Sequence, residues 1–393
     1  MDYHKYLIIG GGMTADAAAR GIREIDSDGS IGIICAEAIG PYDRPPLSKG
    51  LWKGKALDSI WRKTGEIANV TLHLRTTAVR LDVKERRVID RDGNPYAYET
   101  LLLATGGSPR HLRFGSESTI YFRTLDDYRR LRLLSEKGDR FAVIGGGFIG
   151  SEIAAALAMN GRHVTMIVPE AGIAARAFPA DLAESVTQLF REKGVEVLSG
   201  KALGGLEESR KGIALTVAGH QPIIVDAVVA GIGITPNVDL AKTANLGVSD
   251  GIVVNDLLQT NAPHIYAAGD VANFFNPALN KRIRVEHEDN ANTMGRLAGR
   301  NMAGAYERYT HLPSFYSDLF ELGYEAVGEI DARLETVSNW KEPYREGVVY
   351  YLRLGRIRGV LLWNVWDKVE RARTLISEGQ PLSLVDLDSA IAR

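Results

Sequence analysis

Two sets of small residues recur at one spacing: Gly10, Gly12 and Ala15, then Gly145, Gly147 and Gly150. Each follows a short β-branched run, Tyr6 to Ile9 or Phe141 to Ile144, and precedes an alanine-rich stretch. Glycines so placed permit a tight turn and close approach of the backbone to a pyrophosphate. That group rests on the N–H groups and positive dipole end of the following helix. An acid ending the next strand binds an adenosine ribose. SIGIICAE ends at Glu37, and RHVTMIVPE ends at Glu170, two residues later than the commonest placement. A lone unit also reads as a glycine-rich turn without a ligand. Two complete units point to two dinucleotides held against each other, as when a nicotinamide reduces a flavin.

The elements that must position these turns repeat as well. After the first unit, VTLHLR, AVRLDV and RVIDRDG suggest a β-meander with a turn at Asp92-Gly93, leading to YETLLLATGG. After the second, VEVLSG, LGGLEES and IALTVAG precede PIIVDAVVAGIG. From about Gly251 the chain changes to GIVVNDLLQTNAPHIYAAGD and a helix from about Asn290 to Ala303, read as completion of the first domain. The expected fold is α/β: two Rossmann-like dinucleotide-binding domains, the second inserted into the first, plus a C-terminal α+β domain. The expected boundaries are 1–112 and 249–313, 113–248, and 314–393. In the last segment EAVGEI, GVVYYLRL and RIRGVLLWNV read as strands, and WDKVERARTLISEG as an amphipathic helix.

The 393 residues carry a net charge of -2, with 45% hydrophobic and 24% charged residues, a balance that gives no reason to expect nucleic acid. Arg129, Arg130 and Arg132 read as a solvated helix face. No apolar stretch approaches the ~20 residues of a membrane span, and a buried strand begins close to Met1, so a cytoplasmic location is expected. No cluster of His, Cys and acids has metal-ligand spacing. The single cysteine, Cys35, lies inside a strand as a small buried thiol. It excludes an intramolecular dithiol relay, so electrons must leave a flavin directly.

PYDRPPLSKGLW (41–52), ATGGSPR (104–110), GGGFIGSE (145–152), YAAGD (266–270) and RVEHEDNA (284–291) resemble the ferredoxin and rubredoxin reductase flavoproteins. Through GRLAGRNMAG, FYSDL, GYEAVGEI and LLWNV the resemblance is closest to the apoptosis-inducing factor branch and covers essentially the whole chain. It implies FAD in the first domain, NAD(H) in the second, and a C-terminal domain covering the flavin. On this resemblance FAD contacts fall on Gly10, Gly11, Gly12, Met13, Thr14, Ala15, Glu37, Arg44, Lys49, Thr105, Gly106, Arg110 and Asp270. Glu286 and His287 lie beside the isoalloxazine ring. The nicotinamide side uses Gly146, Gly147, Phe148, Ile149, Glu152, Glu170 and Gly233. Lys49 and Glu152 are the expected catalytic pair: an ammonium stabilises negative charge developing on the flavin, and the carboxylate holds it and orients the nicotinamide amide.

Chemistry supports parts of this independently. Asp270 follows a strand and a glycine at an apparent helix start, where a carboxylate accepts ribityl hydroxyls or caps a helix. Arg44, in a Pro-rich loop, suits a phosphate bidentately or is a surface arginine. His287 reads as a flavin neighbour or a satisfied core histidine. Glu170 disfavours a 2′-phosphate, so NADH is expected over NADPH, with Arg162 and Arg176 near enough in sequence to oppose that.

The chain also departs from its relatives. FYSDL and VEHEDNA stand where the ferredoxin reductases often carry FWSDQ and ESxQNA, so Tyr316 replaces a tryptophan commonly found over the cofactor. The VEH run also occurs in plant-type monodehydroascorbate reductases, which admits a small one-electron acceptor. Only SNWKEPYREG (338–347) stands where mitochondrial apoptosis-inducing factor has a long insertion, and no targeting segment or anchor is expected. The expected activity is hydride transfer from NADH to flavin N5, then electron transfer to a ferredoxin, rubredoxin, quinone or similar acceptor. The second reading is a slow NADH redox sensor that forms a flavin–NAD charge-transfer complex and changes its oligomeric state or partner; a homodimer is a separate expectation.

Overall fold

The computed structural model describes residues 2–379 and 390–391. The chain divides into two compact units. One comprises Met1–Asp43, Asp58–Ser108 and Thr235–Ser314; the other comprises Arg44–Leu57, Pro109–Ile234 and Phe315–Arg393.

In the first unit the parallel strands run in the order Val70–His73, Ile31–Ile34, Asp2–Ile9, Pro95–Leu103, Ile265–Ala267. Leu7, Ile8, Ile31, Ile33, Leu101 and Leu102 are all fully buried, as strands covered on both faces require. VTLHLR is therefore not part of a meander: it pairs in parallel with Ile31–Ile34, and only Ala78–Asp82 and Arg87–Asp90 form the antiparallel addition. The helices Met13–Arg23 and Glu288–Met302 pack against each other at glycines. A Cβ on Gly21, Gly295 or Gly299 would lie 2.0, 2.5 or 2.0 Å from a backbone oxygen of the facing helix.

In the second unit the sheet is wholly parallel, ordered Glu196–Ser199, His163–Val168, Arg140–Ile144, Ala227–Ala230, Thr119–Tyr121. VEVLSG likewise extends this sheet, while Leu203–Ser209, Gly212–Val217 and Ile223–Val225 form a separate antiparallel sheet. The C-terminal strands, from Ser314–Leu319 to Arg356–Trp363, form a five-stranded sheet, with the helix Val369–Glu378 against two of them. An aromatic cluster fills its core: Tyr324 stacks on Trp363 at 5.5 Å and 11°, and Phe178 meets both edge-on. No helix among the described residues is long and apolar enough to cross a membrane.

Candidate active site

Both glycine turns sit where the sequence places them, between a buried strand and a helix N-terminus. Gly10 and Gly145 have φ of 123° and 103°, which side chains rarely adopt. A Cβ on either would strike a carbonyl oxygen of the adjacent strand end, Ala104 at 2.1 Å or Gly231 at 2.5 Å. A Cβ on Gly11 would fall 2.0 Å from the Cys35 sulphur, and one on Gly146 would fall 2.7 Å from Val168. The middle glycines are thus closed in by the sheet. Gly12 and Gly147 differ, since a Cβ there meets nothing within 4 Å. They are the N-caps of Met13–Arg23 and Phe148–Met159, and neither cap offers a side chain to the helix N–H groups. Each helix start therefore presents donors and a positive dipole end to open space, which fits a pyrophosphate.

In the first unit other expected contacts gather near that turn. Gly269, with φ of 77°, approaches so closely that a Cβ would lie 2.3 Å from the Thr14 hydroxyl oxygen, which sets the short turn carrying Asp270 against the first helix start. His287 stands at the N-cap position of the helix Glu288–Met302, which packs on that same helix. Arg284 holds the Glu286 carboxylate at 2.6 Å and donates to the Asp270 carbonyl. Thr105 and Gly106 are fixed by Asn237, whose backbone N–H donates to the Gly106 carbonyl and whose side chain donates to that of Thr105. Glu37 accepts a hydrogen bond from the Tyr42 hydroxyl at 2.8 Å. Asp16, a buried acid in the first helix not singled out above, holds Arg62 and Thr64 and ties in the segment after residue 58.

The second unit holds the sharper constellation. Glu152 lies one turn into Phe148–Met159 and is 3% exposed. Its Oε1 is 2.8 Å from the Lys49 Nζ and accepts from the Ser317 hydroxyl at 2.6 Å; its Oε2 accepts from the Ser48 hydroxyl at 2.6 Å. The Lys49 Nζ lies 5.2 Å from the centre of the half-exposed Tyr316 ring, within cation–π range. Behind them burial and the Glu152 charge push the Tyr324 hydroxyl well above its ordinary range, so Tyr324 stays neutral. Sequence reasoning assigned no role to Ser48, Ser317 or Tyr324. The only signal was that both serines adjoin assigned residues, Lys49 and Tyr316.

Arg44 donates to the Arg123 carbonyl. Arg110 is joined to Gly233 by a backbone hydrogen bond of 2.9 Å, and Gly233 takes a φ of 92°. Glu170 pairs with Arg176 at 2.5 Å, and Arg176 is 84% exposed. Arg162 turns away, to the carbonyls of Asn160 and Gly138.

Two glycine-turn folds, each followed by an acid, with the Glu152 carboxylate of the second helix paired to Lys49 from the loop Arg44–Leu57, define an oxidoreductase that handles two dinucleotides. Residues 4–295 match the pyridine nucleotide-disulphide oxidoreductase family, so the chain belongs to that family. Residues 298–343 and 338–378 match the C-terminal family of mitochondrion-associated apoptosis-inducing factor. The chain is 33% identical to apoptosis-inducing factor 1, mitochondrial, of Dictyostelium discoideum, over 96% of this chain and 79% of that one. It is also 33% identical to the ferredoxin–NAD(+) reductase component of the anthranilate 1,2-dioxygenase system of Burkholderia cepacia, over 98% of each. Among solved structures it resembles the covalent putidaredoxin reductase–putidaredoxin complex, with a TM-score of 0.91 and 30% identity over 100% of this chain and 98% of that one. The protein is an FAD-dependent oxidoreductase of reduced nicotinamide nucleotides.

Proposed function

We propose that this protein oxidises NADH and passes electrons one at a time to a small redox protein of the ferredoxin or rubredoxin type, or to a quinone-like acceptor. The observation that carries it is the 2.8 Å pair between Lys49 and Glu152, the buried carboxylate on the helix that follows the second glycine turn. FAD, when bound, supplies the hydride-accepting centre and the step from two-electron to one-electron chemistry. The first turn and Asp270, with Glu37, Arg44, Thr105, Gly106 and Arg110, bind its phosphates and hydroxyls; Glu286, His287 and Tyr316 line its ring. Gly146 to Ile149 and Gly233 receive the coenzyme, and Glu170 its ribose. Lys49 brings a fixed positive charge to the place where negative charge arrives. Glu152 fixes that ammonium and has the acceptor character to orient the nicotinamide amide. In this reading 1–112 and 249–313 bind FAD, 113–248 bind NAD(H) and 314–393 cover the flavin. A cytoplasmic location and a homodimer complete it, checked by fractionation and sedimentation.

The test is an anaerobic titration of the purified yellow protein with NADH, followed by candidate acceptors. Fast bleaching with prompt recovery on adding a [2Fe–2S] ferredoxin or a quinone supports the reductase. In that assay Lys49→Ala is expected to slow bleaching while FAD stays bound. The match of the C-terminal segment to the apoptosis-inducing factor family favours a second reading, a slow NADH-responsive binding protein. Slow bleaching with a lasting long-wavelength band and a change in size would select it.

A further inference from the structure

Glu152 is the meeting point of three chain segments within the second unit. Lys49 and Ser48 come from the loop Arg44–Leu57, Glu152 from the helix after the second glycine turn, and Ser317 from the first strand of the C-terminal sheet. The serines lie 104 and 165 positions from Glu152 in sequence, yet each donates to it at 2.6 Å, one to each carboxylate oxygen. Ser48 is 4% and Ser317 1% exposed, so water does not substitute for either hydroxyl.

A carboxylate held by a lysine alone still rotates about its last torsion, which is broad and two-fold. The lysine, a point charge on a flexible stem, follows it. Donors on both oxygens remove that freedom. Oε1 is shared between the Ser317 hydroxyl and the Lys49 ammonium, and Oε2 is occupied by Ser48, so a single carboxylate plane satisfies all three. Hydrogen bonds to a charged acceptor are the strong ones, and they are stronger where water is excluded. Tyr324, fully buried and stacked on Trp363, belongs to the aromatic core beside these groups. The aim of the lysine is thus set in part from the C-terminal sheet.

We propose that Ser48 and Ser317 are positioning residues for hydride transfer: by fixing both oxygens of Glu152 they aim the Lys49 ammonium. This rests on the NADH–flavin reading above. It predicts a defect in the rate of the chemical step with little change in coenzyme binding, since neither hydroxyl is assigned to the nucleotide. Because the ammonium favours the electron-rich flavin, loosening it also moves the flavin midpoint potential in the negative direction.

The experiment uses FAD-loaded wild type, Ser317→Ala, Ser48→Ala and Ser317→Thr in anaerobic stopped-flow reduction by NADH, with the flavin potential measured by dye equilibration. Each alanine variant is expected to lose about tenfold in the limiting reduction rate, the scale of one charge-assisted hydrogen bond. The NADH dissociation constant should stay within about twofold and the potential should fall. Ser317→Thr, which keeps the hydroxyl, should recover both rate and potential. Ser48→Ala probes the opposite oxygen and carries the same measurement should Ser317→Ala not fold. Wild-type rates in the alanine variants would overturn the proposal. So would a loss lying wholly in NADH affinity, or a threonine variant as slow as alanine with an unchanged potential, which would mark a packing role. A wild-type protein whose flavin is not reduced by NADH would instead defeat the underlying reading, so the two failures are distinct.

Discussion

At the scale of single residues, the coenzyme preference turns on one exposed ion pair. Glu170 follows the second strand of the nucleotide fold, where an acid meets the adenosine ribose. Its partner Arg176, at 2.5 Å and 84% exposed, lowers the local negative charge without being held in place. An exposed pair is worth about 1 kcal/mol or less, so it does not cancel the repulsion that a 2′-phosphate meets. NADH is therefore expected to have a higher kcat/KM than NADPH. Glu170→Ala should reverse the balance by removing the repulsion and releasing Arg176 to the phosphate, raising kcat/KM for NADPH about tenfold. Arg176→Ala alone should widen the preference for NADH. Steady-state kinetics with both coenzymes checks this, and a variant of Glu170 that leaves the ratio unchanged would remove that carboxylate from the ribose.

Among the elements, the second parallel sheet is tied by an acid at a strand entrance. Asp226 precedes Ala227–Ala230, accepts from the backbone N–H groups of Asp139 and Arg140, and pairs with the Arg140 guanidinium at 2.8 Å. The Arg140 hydrogen bond, the backbone donors and the cation's charge together hold the Asp226 carboxyl down at about 2. Its pKa lies below the unfolded value of about 3.9, so its contribution is present above that value and is lost as pH falls towards 2. With solvent screening a partly exposed pair, Asp226→Asn should cost about 1 kcal/mol near neutral pH. The difference in melting temperature from wild type should shrink between pH 6 and pH 3; a constant difference would show that the charge is not what matters. The parallel cores were legible because buried β-branched runs ending in glycines leave few other readings. The direction of the next strand was not: VTLHLR and VEVLSG are too short for periodicity to separate a meander from a parallel edge, and pairing decided it. Lys49 and Glu152 were legible through PYDRPPLSKGLW and GGGFIGSE. Their serine partners were not, because a hydroxyl gains its role only when distant segments meet, and no spacing encodes that.

Across the whole molecule, the cysteine count limits how electrons travel. The family takes its name from a disulphide, yet this chain has one cysteine and forms no internal dithiol. Cys35 is 1% exposed, its sulphur donates to the Ile39 carbonyl at 3.3 Å, and it lies directly under the first glycine turn. A buried thiol in apolar surroundings is a packing group and not a nucleophile. The route from flavin to acceptor must then be direct, which suits acceptors that take one electron at a time and need no covalent intermediate. Alkylating the native FAD-loaded protein with iodoacetamide should accordingly leave NADH-dependent reduction of a ferredoxin or quinone within about twofold of the untreated rate, because burial shields the sulphur. Cys35→Ala should do the same while lowering stability by about 1 kcal/mol, the cost of a small cavity beneath the turn. Cys35→Leu should instead force the glycine turn outward and lose FAD, since the sulphur already occupies the space where a Cβ on Gly11 would go. Inhibition by the alkylating agent with FAD still bound would show that the Cys35 thiol is reachable and is needed for turnover, against its role as a packing group.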